Sequence, residues 1–152
     1  MAIDACKALA YEFEPLVVTA ERSRLAFFAR ATGQRDPIYA DLDAARAAGH
    51  PDLPIPPSFY FSLELERPDP LGWLTALGAD MRRVLHGEQS YVYHAMAYAG
   101  DILTLRSRVA DVTAKKGGAL ELVTKETSVT RDGQPIAEAI SVIVVRNPEA
   151  GR

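Results

Sequence analysis

The sequence predicts an α+β domain: a helical first half carrying one early strand, followed by four further strands in an antiparallel sheet. Three observations predict it. The chain changes character near residue 81, from proline- and alanine-rich to β-branched and alternating. The late apolar segments are long and joined by short or moderate connections, as antiparallel neighbours allow. The 152 residues leave room for one domain of roughly 150 residues, not two.

Residues 11–18 (YEFEPLVV) read as a short first strand, with Pro15 pointing to a sheet edge or a bulge. Thr19 then reads as a helix N-cap, with Glu21 in the first turn. Leu25, Phe28, Ala29 and Thr32 fall at i, i+3, i+4 and i+7, one face of a helix that Gly33 ends. A second short helix runs from an Asp41 cap through Ala44, Ala45 and Ala48 to Gly49. Six of the ten prolines lie between residues 51 and 70, and Pro56-Pro57-Ser58-Phe59 makes a rigid entry to a helix over 58–66. One or two more turns form around Trp73. The strand pattern starts at 82–94. In the next strand Leu103, Leu105, Ser107 and Val109 share one face. Lys115 to Gly118 form a turn into 119–130, and Asp132-Gly133 signals a hairpin. The strand 135–146 is apolar on both faces and belongs inside the sheet.

Apolar residues make up 48% and charged residues 24%, the balance of a globular domain. Seventeen Lys and Arg against twenty Asp and Glu leave a net charge of −3, without the basic surplus of a general nucleic-acid binder. The single cysteine, Cys6, excludes an intrachain disulfide and a Cys-rich zinc site. No apolar run approaches the ~18 residues of a membrane span, and the start MAIDACKALAYEFEP is unlike a signal peptide. The expected location is cytoplasmic, with no metal, cofactor, membrane or nucleic-acid partner.

Two stretches carry more than a fold. One is Phe28-Ala29-Arg30-Ala31-Thr32-Gly33-Gln34-Arg35-Asp36-Pro37-Ile38-Tyr39, followed by the Ala-rich segment 44–49. The other is Val84-Leu85-His86-Gly87-Glu88-Gln89-Ser90-Tyr91-Val92-Tyr93-His94, running into Ala99-Gly100-Asp101. The first resembles the overhang segment of MaoC-like (R)-specific enoyl-thioester hydratases and dehydratases, whose pattern is G-D-x-N-P-x-H. The second is similar to the HGEQ…GD strand pair of the N-terminal-type domain, which serves as the substrate-binding subunit of mycobacterial hydroxyacyl-ACP dehydratases. The resemblance spans about residues 10–146. It implies a single hot-dog fold, a five-stranded antiparallel sheet wrapped around a central helix. It also implies an acyl-CoA or acyl-ACP ligand, and a second hot-dog as homodimer or catalytic heterodimer partner.

The sequence departs from that family where chemistry is done. Gln34 stands where active members carry the catalytic Asp, and Tyr39 where they carry the His. A carboxamide takes no proton near neutral pH, and a phenol with a reference pKa of about 10 is a poor base there. Losing one positioned acid–base group costs roughly 10²–10⁴-fold, and here both are replaced. A binding subunit is therefore the first expectation. The alternative is an active dehydratase or hydratase using His86 and Glu88, which share a face on a regular strand with Cα atoms about 7 Å apart. The blander reading gives these residues to a dimer interface or to capping buried backbone groups. A hot-dog thioesterase is the third option, since fold does not fix reaction. His94 lies about 27 Å from His86 along an extended strand, too far to share a metal. The site set is thus His86 and Glu88 for proton transfer. Gln34, Tyr39, Ser58, Phe59, Gly87 and Gln89 are set to bind the thioester, its oxygen at the start of the 58–66 helix. Arg82 and Arg83 are candidates for coenzyme A or carrier-protein phosphates.

Overall fold

The computed structural model describes residues 3–150. In chain order these form α1 (Ala5–Leu9), β1 (Leu16–Thr19), α2 (Arg22–Ala31), α3 (Leu42–Ala47), α4 (Phe59–Glu64) and α5 (Gly72–Ala76), then β2 (Val84–Tyr93), β3 (Ile102–Lys115), β4 (Leu120–Arg131) and β5 (Gln134–Arg146). All pairings are antiparallel, in the order β1-β3-β4-β5-β2. This is the single α+β hot-dog fold, with α4 laid against one face of the sheet.

Local rules account for most elements. The Asp41 carboxylate accepts the amides of Asp43 and Ala44, capping α3. Leu25 and Ala29 are fully buried on α2, as their spacing requires. Asp132 and Gly133 take φ of 50° and 77°, the left-handed pair of a two-residue hairpin turn between β4 and β5. β5 lies between β4 and β2, which explains its two apolar faces.

Four expectations are corrected. Residues 11–15 lie outside the sheet, where Phe13 packs against Trp73 with ring centroids 5.4 Å apart. Thr19 ends β1, and Glu21 holds the N-cap position of α2 without a side-chain cap bond. The 58–66 helix is shorter, at Phe59–Glu64, and Arg82 and Arg83 sit in a 3-10 turn before β2 begins. Ile3 and Ala8, which precede the stretch that carries the resemblance, are fully buried.

The register arranges the covered face in transverse rows, since directly paired residues point the same way. Leu105, Val129, Ala137 and Tyr93 form one row, and Val112, Val123, Ile143 and His86 another. Between them run Ser107, Thr127, Ala139 and Tyr91, then Val109, Lys125, Ser141 and Gln89. The outer rows belong to two separate apolar clusters. One packs Phe59, Tyr60 and Leu63 of α4 against Leu103, Leu105 and Val129; the other packs Trp73 and Leu74 of α5 with Ile3, Val123 and Ile143. Hydrogen bonds bind the polar rows between them: Ser107 to Thr127 at 2.8 Å, and Ser141 to Gln89 at 2.6 Å. Two bulges, at Ala110 on β3 and Gly87 on β2, flank the same level and shift the inward parity there.

Candidate functional site

A cavity of about 310 Å3 opens at the start of α4, lined by Tyr39, Tyr60, Tyr93, His94 and Met96 among others. The rigid Pro56-Pro57 entry and β2 build it together. Tyr93 Oη donates to the Pro57 carbonyl at 2.8 Å, and Tyr91 Oη donates to the Ser58 carbonyl at 3.0 Å. The Tyr91 and Tyr93 rings stack with centroids 5.8 Å apart. Burial, then the neighbouring Tyr93 phenol, pushes Tyr91 up to about 12. Burial raises Tyr93 as well, with Tyr39 adding to it, and burial raises Tyr60 strongly. Tyr60, Tyr91 and Tyr93 are therefore neutral hydroxyls at physiological pH, suited to hydrogen bonding and unsuited to removing a proton.

The overhang segment reaches this cavity through Tyr39, at the end of a 3-10 turn over Pro37–Tyr39. Gln34 is exposed, and its Oε1 accepts the Asp36 amide at 3.1 Å. The Asp36 carboxylate caps the turn through the Ile38 amide, also at 3.1 Å. Both side chains shape the loop. At the start of α4 the Phe59 amide donates to the Pro56 carbonyl at 2.9 Å, so it is not a free donor for a thioester oxygen. The Phe59 side chain packs on Phe28, with centroids 5.0 Å apart. Ser58 occupies the cap position and makes no side-chain cap bond.

The structure separates His86 from Glu88. The bulge at Gly87 pairs His86 with Ile143 and Glu88 with Val142, so the two side chains point to opposite faces of the sheet. His86 lies on the covered face, with its ring 4.7 Å from Phe61; Glu88 is on the outer face. Sequence spacing alone assumes an unbroken pleat, and Gly87 breaks it. A Cβ at Gly87 would lie 2.7 Å from Val144 Cγ2, which is why glycine stands there. Gln89 returns to the covered face and binds Ser141. Arg82 and Arg83 are committed to Asp80, whose carboxyl the Arg82 guanidinium holds at about 2. Asp101 of the second motif ties a loop, accepting the Tyr98 amide at 2.8 Å and Arg131 at 2.5 Å.

Sequence reasoning missed one charged pair. Lys125, on β4, points inward beneath α4 and forms a buried ion pair with Glu64. The signal was parity: Lys125 shares its strand face with Val123 and Val129, which are core residues. It also missed the contact of His94 Nε2, in the lining of the tyrosine cavity, with Glu138 Oε2 at 3.2 Å; both side chains are exposed.

Comparison with known proteins agrees with this architecture. A UPF0336 protein of Saccharopolyspora erythraea is 36% identical over 125 residues, covering 82% of this chain and 80% of its own. Among solved structures, the C-terminally truncated HadBC (3R-hydroxyacyl-ACP dehydratase) complex of Mycobacterium tuberculosis aligns with a TM-score of 0.75 at 23% identity, covering 88% of this chain and 93% of its own. A MaoC-like dehydratase of Phytophthora capsici aligns with a TM-score of 0.72 at 20% identity, covering 93% of this chain but 49% of its own. The family model of the FAS1-like dehydratase domain region matches residues 7–139, and the chain belongs to that family.

Proposed function

We propose that this chain is the ligand-binding half of a dehydratase or enoyl hydratase unit made of two hot-dog domains. It holds an acyl thioester of coenzyme A or of a carrier protein, while a partner hot-dog supplies the Asp and His that move protons. The observation that carries this reading is the chemistry of the cavity at the start of α4. Where the resemblance expects Asp and His, the chain has Gln34, engaged with its own loop, and Tyr39, beside phenols that burial keeps protonated. Neither position supplies the base that active members carry there, and the imidazole in the cavity lining, His94, contacts Glu138 instead.

The fold supports the need for a second domain. β2 is ten residues long and lies at a sheet edge, with Leu85, Val92 and Tyr93 exposed along it. Past the bulge at Gly87, residues 89–93 form a regular edge segment without lysine or proline, whose open backbone groups suit pairing with another strand. The similar chains point the same way: one is a subunit of a complex, and another is about twice this length. In solution the chain is expected to run at twice its own mass, or to pair with a co-expressed hot-dog carrying Asp and His.

The test is crotonyl-CoA with the purified chain. The expected result is saturable binding with neither loss of enoyl-thioester absorbance nor release of thiol, and hydration once the Asp/His partner is added. Hydration by the chain alone would overturn the binding role. His86→Ala and His94→Gln variants would then locate the base, and thiol release would indicate a thioesterase.

A further inference from the structure

Gly87 gives the open edge of β2 a symmetry. Pairing with β5 sets Val84, His86, Gln89, Tyr91 and Tyr93 on the covered face and Leu85, Glu88, Ser90 and Val92 on the outer face. With Gly87 as the extra residue of the bulge, these nine positions alternate without a break, and Gln89 is the middle one. A second β2 can therefore run antiparallel along the whole edge with every side chain keeping its face.

Centred on Gln89, such a pair opposes Leu85 to Val92 and Val84 to Tyr93, which puts the exposed Leu85, Val92 and Tyr93 against apolar partners. Glu88 faces Ser90, and His86 faces Tyr91. Centring on Glu88 instead would set two carboxylates directly opposite and leave Leu85 facing Ser90, and like charges so placed are destabilising. Centring on Ser90 would set Glu88 against Val92 and Leu85 against His94. The ends of the Gln89-centred pair also match in charge. Arg82 and Arg83 precede β2, and Asp80 offsets one of the two. His94 follows β2, with Glu138 Oε2 at 3.2 Å. Antiparallel pairing brings the basic end of one strand beside the acidic end of the other, twice about one axis. Apolar surface continues from the edge around the end of α4, where the exposed Leu65, Leu71 and Met81 rim a second cavity of about 420 Å3 that His86 also lines.

We propose that two copies of this chain join through β2 about a two-fold axis at Gln89, and that His86 of each serves the tyrosine site of the other. The His86 ring is exposed and has no hydrogen-bond or ion-pair partner among the described residues. In this register its Cβ lies about 5 Å from that of Tyr91 in the second copy. Tyr91 stacks on Tyr93, which lines the cavity at the start of α4, so each cavity gains a wall from the other copy's strand. The inference rests on the two-domain reading above and adds to it the register and the residue that crosses.

Cysteine cross-linking reads the register directly. The exposed Cys6 is replaced by serine, and Glu88→Cys, Gln89→Cys and Ser90→Cys are made singly in that background. Only the residue on the axis faces its own copy; directly opposed Cα atoms lie about 4.5–5.5 Å apart, and those beyond about 7 Å cannot be bridged. The expected result is a covalent dimer from Gln89→Cys, formed about ten-fold faster than from either neighbour. Mixtures supply a second reading that leaves Gln89 in place. Leu85→Cys with Val92→Cys chains, and His86→Cys with Tyr91→Cys chains, are expected to cross-link when mixed and not when alone. Faster cross-linking through Glu88→Cys or Ser90→Cys would overturn the register and leave the two-domain reading standing. A wild-type chain that sediments at its own mass would overturn the pairing of copies. None of these measurements involves a thioester, so failure here is distinct from failure to bind crotonyl-CoA.

Discussion

Gly87 shows how one residue sets where its two neighbours point. By taking the bulge, it puts His86 on the covered face and Glu88 on the outer one, where a regular strand would put both on the same face. Gly87→Ala places a Cβ 2.7 Å from Val144 Cγ2 and 3.2 Å from the Val142 carbonyl. The expected loss is about 1–3 kcal/mol, read from urea unfolding and partly restored by Val144→Ala. The Lys125–Glu64 pair makes a second prediction at this scale. Lys125→Met alone strands a buried carboxylate and should cost about 3–5 kcal/mol, whereas the Glu64→Leu/Lys125→Met pair should fall near the wild type or above it. A double-mutant cycle by chemical denaturation gives the coupling directly.

Individual elements explain which parts of the molecule the sequence made legible. Alternation along 102–109, the Asp41 cap and the Asp132-Gly133 turn are local, and each forms as local rules require. The residues that escaped depend on register across strands. Lys125 is inward because Val123 and Val129 are, and its partner lies 61 positions away on α4. Residues 11–15 looked like strand, but Phe13 is held by Trp73 from another element. The candidate site was legible as a location, through Tyr39 and the Pro56-Pro57 entry, and less so as chemistry. Tyr91 and Tyr93 acquire their character only when β2 meets the start of α4. That meeting is testable by pH. Burial raises their phenols, and that of Tyr60, above the unfolded value of about 10. The neutral form is favoured in the fold, so this contribution is intact below pH 10. It is lost as the pH climbs toward about 12, where Tyr91 titrates in the folded state. Ultraviolet titration should show three of the six phenols lagging, and urea should abolish the lag.

The whole molecule is one hot-dog with two cavities at opposite ends of α4, a polar band across its sheet, and an open ten-residue edge at β2. Each feature suits a domain that receives a ligand and joins a second domain to process it. Among the described residues no helix is long and apolar enough to cross a membrane. The measurement that bears most directly on this account is crotonyl-CoA offered to the chain alone, with binding and turnover followed in one titration. The account predicts saturable binding with the enoyl absorbance unchanged, and turnover only after an Asp/His-bearing hot-dog is added. Hydration by the chain alone would contradict it.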